Sequence, residues 1–233
     1  MKKISTLSLL LFTILLLAVG CSKDNYTAPK ASLSGNIIRA EDDALVPQQT
    51  INGGLLQLFQ TDLNENPTSI NSAFHSDGSY ENAMLFDGNY KLVVNGPFFY
   101  DDTLRVDVRG ATQLDIKVRP YLTLSAEITT VTASSATVTV GVALGANNNA
   151  QKIARVGAVI GTTNSLDVNF SSQRFLTNTE SQSNVDIVTK QHSYMFTNLT
   201  PNTTYYIRGV ARTINLGNYY NYAPLITLKT LAN

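Results

Sequence analysis

The sequence is poor in the residues that most chemistry needs. It has one cysteine, Cys21, no tryptophan and two histidines, and only 15% of its 233 residues are charged. A single cysteine excludes an internal disulfide and a multi-thiolate zinc site. His75 and His192 lie far apart, and neither has a second histidine or a cysteine at metal-ligand spacing, so both read as solvated residues beside a turn or at a strand start. The acids cluster as Glu41-Asp42-Asp43 and Asp101-Asp102. Adjacent residues on a strand point to opposite faces, so neither cluster is preset as a general acid and base. The first also lacks the alternating oxygen ligands of a calcium loop. No Gly-x-Ser-x-Gly elbow and no glycine-rich phosphate loop occur. These absences predict a protein that is not an enzyme, with no metal and no cofactor. Basic and acidic residues balance at 17 each, which gives no reason to expect a nucleic-acid partner.

Long apolar runs are missing too, except at the start. Lys2 and Lys3 precede a mostly apolar, uncharged stretch from Ile4 to Val19, which ends in small residues before Cys21. That stretch is shorter than the roughly 20 residues a spanning helix needs, and the plan is that of a secretion signal. Ala18-Val19-Gly20-Cys21 resembles a bacterial lipobox, with Ala18 where leucine is commonest. The resemblance implies a signal peptide over residues 1–20, a lipid on Cys21, and a tether over residues 21–30. Its loss removes two lysines, leaving the 17 acidic residues to outnumber the basic ones.

From Ala31 onward, short runs rich in Val, Ile, Leu, Thr and Tyr alternate with turn residues, and no sustained 3.6-residue period appears. The reading is all-β. Strands are expected over 33–38, 54–60, 70–75, 79–85, 89–94, 104–108 and 113–118. The glycines of Asp77-Gly78 and Asp87-Gly88 are expected to turn three of these into a consecutive antiparallel set. Ser34-Gly35, Asp77-Gly78-Ser79-Tyr80 and Phe86-Asp87-Gly88-Asn89-Tyr90 together resemble the carboxypeptidase-regulatory, transthyretin-like sandwich, which would cover residues 31–118. Arg119-Pro120 breaks the ladder, because proline has no N–H for it. Beyond it, Leu122, Leu124, Ala126 and Ile128 alternate with polar residues, as do Val138, Val140, Val142 and Leu144. Leu199, Pro201, Thr203, Tyr205, Ile207, Gly209 and Ala211 follow at two-residue spacing. This resembles the Leu-x-Pro-x-Thr-x-Tyr signature of fibronectin type III domains, with Gly209 departing from the usual bulky residue. The expectation is a second sandwich over residues 119–233, with Tyr205 as a tyrosine corner.

A lipobox followed by these two modules resembles an uncharacterised family of two-domain surface lipoproteins from gut Gram-negative anaerobes, associated with glycan-uptake loci. The resemblance implies an outer-membrane, surface location and a carbohydrate-related accessory role, with a polysaccharide or oligosaccharide and a glycan transporter complex as partners. Without tryptophan, a sugar platform must come from Tyr and Phe. Two clusters are candidates: Phe98, Phe99 and Tyr100 with Asp101 and Asp102, and Tyr219, Tyr220 and Tyr222. Alternation along a strand would put at least one ring of each in a core. The competing reading is a structural or adhesive, fimbria-like subunit. A hydrolase would need a convergent acidic pocket.

Overall fold

The computed structural model describes residues 28–63, 65–100, 103–145 and 151–232. Two β-sandwiches follow one another along the chain. In the first, β1 (Ala31–Arg39) is the organising strand. It pairs antiparallel with β4 (Ser79–Leu85) and parallel with β8 (Ala111–Gln113) and β9 (Ile116–Pro120), and β9 carries β6 (Phe98–Phe99) on its other side. The facing sheet runs β3 (Ile70–Ala73), β2 (Leu55–Gln60), β5 (Gly88–Asn95) and β7 (Leu104–Val108), all antiparallel. Period-two burial gives each sheet one apolar face, and Leu33, Ile37, Leu56, Leu58, Leu92 and Ile116 fill the space between them.

The expected run of three consecutive antiparallel strands does not form. Gly78 turns the chain at φ +96°, its N–H on the His75 carbonyl, but the chain changes sheet there, since β3 pairs with β2 and β4 with β1. The crossing lets Phe74 and Tyr80, on either side of the turn, both enter the core and meet edge to face at 6.4 Å. Burying a ring of this size stabilises by roughly 1.5–3 kcal/mol, which a solvated hairpin would forgo. Gly88 is not a turn glycine. It lies buried as the first residue of β5, where a β-carbon would sit 2.6 Å from the Gln60 side chain.

The second sandwich sets a three-stranded sheet of β10 (Leu122–Val131), β11 (Ala136–Leu144) and β14 (His192–Phe196) against a sheet of β13 (Gln173–Asn178), β12 (Ile153–Gly161) and β15 (Thr204–Thr213). Two short strands, β16 (Asn221–Tyr222) and β17 (Ile226–Lys229), pair in turn with β15. One helical turn, α1 (Asn184–Val188), is capped by Ser183, whose hydroxyl accepts the Asp186 N–H at 3.0 Å. Tyr205 is buried, and its hydroxyl oxygen accepts the Thr200 N–H at 3.0 Å, tying the loop back onto the strand it enters.

On β15, Tyr205, Ile207 and Ala211 face the core of this sandwich, yet Arg208 and Val210 on the opposite face are buried as well. Their partner, β12, is buried along nearly its whole length. A strand covered on both faces needs a third layer. The loop after β12 supplies part of it through Leu166 and Val168, and loops of the first sandwich close over Arg208.

Candidate functional site: the seam between the sandwiches

The seam is built around two charges. Arg208 is the largest fully buried side chain, at 1% exposure. Its Nη1 donates to the carbonyls of Gln48 at 3.3 Å and Leu166 at 3.1 Å, its Nη2 to that of Ser76 at 3.0 Å, and its Nε to that of Ala223 at 3.3 Å. Two of these carbonyls belong to each sandwich. The guanidinium lies 4.3 Å from the centre of the Tyr222 ring. Burial lowers its pKa to about 10, so it remains a cation at neutral pH, and the same burial pushes the Tyr222 phenol up.

Asp167, at 0% exposure, is the second charge. Its Oδ2 accepts the N–H and hydroxyl of Thr50 at 3.1 and 2.8 Å and the Ile51 N–H at 2.8 Å, while its Oδ1 accepts the Asn169 and Phe170 N–H groups at 2.7 and 2.9 Å. Around this pair, Asn221 donates to the Pro97 carbonyl at 2.9 Å and accepts the Leu122 N–H at 3.2 Å. Val159, Leu166, Val168, Val210 and Tyr222 form a small apolar cluster of their own.

Both aromatic clusters come to this seam. The Asn221–Pro97 bond joins positions 124 residues apart, one between Tyr220 and Tyr222 and the other next to Phe98. Within the clusters the rings divide. Phe98 and Tyr222, each 4% exposed, are core rings, the first in the sandwich interior and the second under Arg208, and neither offers a face to a ligand. Phe99, Tyr100, Tyr219 and Tyr220 are half-buried, and of these Tyr100 packs against the core of the first sandwich. Phe99 meets Tyr121 edge to face at 4.7 Å, and Tyr220 stacks on Arg212 at 5.5 Å. Asp101, Asp102 and Cys21 lie outside the described residues.

Polar side chains link the two groups of rings. The Tyr121 hydroxyl is hydrogen-bonded to Gln151, whose Oε1 accepts the Thr213 hydroxyl at 2.6 Å. Asn215 in turn donates to the carbonyls of Thr213 and Tyr219, both at 3.0 Å. Rings flanked by amides and hydroxyls suit a polyol with one apolar face. By contrast, a 520 Å³ groove at the seam is walled mainly by Ala44, Leu45, Pro47, Pro224 and Leu225, with Ser76, Asp77 and Asn164 completing its lining.

Tyr121, Gln151, Asp167 and Arg208 were not legible as site residues. The available signal was in the apolar residues on the outer strand faces, Val159 on β12 and Val210 on β15, which need cover beyond the sandwich core. The histidines stay apart: His75 Nδ1 is 2.9 Å from the Ser79 hydroxyl, and His192 Nε2 is 3.0 Å from the Ile187 carbonyl.

The first sandwich, with β1 running parallel to β9, is the part that a known family covers. Residues 31–119 match the DUF3823 N-terminal domain. That family is described as a protein of unknown function. Solved structures share the fold across both sandwiches. A DUF3823 family protein from Bacteroides uniformis superimposes with a TM-score of 0.76 at 14% identity, over 88% of this chain and 100% of its own. Another, from Parabacteroides merdae, gives 0.70 at 22% identity, over 87% and 100%. A third, from Bacteroides uniformis and named as a candidate carbohydrate-binding protein, gives 0.71 at 20% identity, over 86% and 99%. No curated protein matches. At such identities the likeness to DUF3823 proteins carries the fold, and the side chains of the seam must be argued from this chain.

Proposed function

We propose that this protein is a non-catalytic carbohydrate-binding lipoprotein of the outer-membrane surface, accessory to a glycan-uptake complex. The observation that carries the reading is the convergence of the two aromatic clusters on one seam, where Phe99, Tyr219 and Tyr220 keep ring surface beside amide and hydroxyl side chains. The name of the third similar structure supports the same ligand class.

Shallow ring patches bind modestly, so dissociation constants in the micromolar to millimolar range, about −8 to −4 kcal/mol, are expected. A polysaccharide screen by affinity gel tests this. Alanine at Phe99, Tyr219 or Tyr220 should weaken binding while the melting temperature holds within a few degrees. Alanine at Phe98 or Tyr222 should instead destabilise by about 3–5 kcal/mol. If no polysaccharide is retained, or all three patch variants bind as wild type does, the reading is wrong. The anchor is tested separately: Cys21→Ala should abolish lipid labelling and release the protein from membranes, since lipid chains supply the retention.

A further inference from the structure

The hairpin between β15 and β16 carries an apolar tip that neither sandwich uses. Leu216 is 99% exposed and Ile214 60%. Single exposed leucines are ordinary, but two large aliphatic side chains one residue apart on a braced loop call for an explanation.

The brace is specific. Besides its two donated bonds, Asn215 accepts the Tyr219 N–H on Oδ1 at 2.9 Å, and its carbonyl accepts the Asn218 N–H at 3.1 Å. Gly217, at φ +99°, makes room for the Tyr219 ring, since a β-carbon there would sit 2.6 Å from ring atoms. Arg212 bonds the Asn218 side chain at 2.6 Å while lying over Tyr220. A loop already held in one shape loses little entropy on binding.

Charge selects the partner. The hairpin, residues 213–220, has no Asp or Glu, and the cations beside it are Arg212 at its base, Arg155 of β12, paired with Arg212, and Lys152, whose carbonyl accepts the Ile214 N–H. We infer that this hairpin docks on a partner protein through an apolar pocket rimmed by carboxylates, with Ile214 and Leu216 inserted and Arg212 beside the rim. Aliphatic insertion flanked by Arg and Tyr is the composition that concentrates binding energy at protein interfaces. Aliphatic side chains offer no ring face to a sugar, so Ile214 and Leu216 lie outside the carbohydrate patch, although the same hairpin carries Tyr219 and Tyr220.

The test is photo-crosslinking in the native host, with p-benzoylphenylalanine replacing Leu216, Ile214 or, as a control, Leu63, which is 72% exposed on the first sandwich. Positions 216 and 214 should give the same discrete protein adduct and position 63 should not. With the probe at 214, Leu216→Ser should abolish the adduct without moving the melting temperature, because that side chain touches little in the folded protein. Arg212→Glu should reduce the adduct roughly fivefold or more by opposing the acidic rim. Lipid adducts, adducts to a second copy of this chain, no adduct, or equal labelling from position 63 would each overturn the inference.

Discussion

Tyr205 carries two separable jobs. Its ring fills the core beside Ile207, and its hydroxyl holds the Thr200 N–H. Tyr205→Phe should therefore cost about 1 kcal/mol, the net value of one hydrogen bond, and Tyr205→Ala about 3–5 kcal/mol, because it also leaves a cavity. Urea unfolding separates the two, and equally small losses would mean the ring is not packed. This residue was legible because its role depends on neighbours five positions away and on a two-residue period. Tyr222 was not. The cation above it, Arg208, stands on the preceding strand, and what seals both from water is the first sandwich, which no local period encodes.

Among elements, the strand positions were easier to read than their partners. Ser79–Leu85 and Leu104–Val108 follow directly from alternation and flanking turns, whereas the change of sheet at Gly78 depends on where Phe74 and Tyr80 find a core. The same holds for the loop after β12. Asp167 organises that loop through Asn169 and Phe170 and grips the β1–β2 connection through Thr50 and Ile51, 116 to 117 positions away. All five of its bonds come from donors. Asp167→Asn is nearly isosteric, but either orientation of the amide turns an NH₂ toward other donors. Loss of roughly 2–4 kcal/mol is expected, about what unsatisfied buried donors cost. Amide exchange should accelerate at Thr50 and Ile51 before it does so in β2 or β5. Unchanged protection at those amides would show that the carboxylate does not hold the connection.

At the scale of the molecule, the seam decides whether two sandwiches behave as one. Each has its own apolar core, so residues 120–233 are expected to fold alone, but such a fragment would leave Arg208 without the Gln48 and Ser76 carbonyls and Asp167 without the Thr50 and Ile51 donors. Its melting temperature should lie below that of the whole chain. A buried cation whose hydrogen bonds are shared between two bodies also couples their unfolding, since separating them strands the carbonyls and the charge together. Intact protein should accordingly show one calorimetric transition. Arg208→Met fills similar volume but leaves four carbonyls without their donor, and should cost about 3–5 kcal/mol. The coupling should then fail, and the single peak should divide into two, the upper one matching whichever sandwich is more stable in isolation. Two well-separated peaks in the unsubstituted protein, or an Arg208→Met variant that melts in one transition at the original temperature, would mean that the seam is contact without coupling.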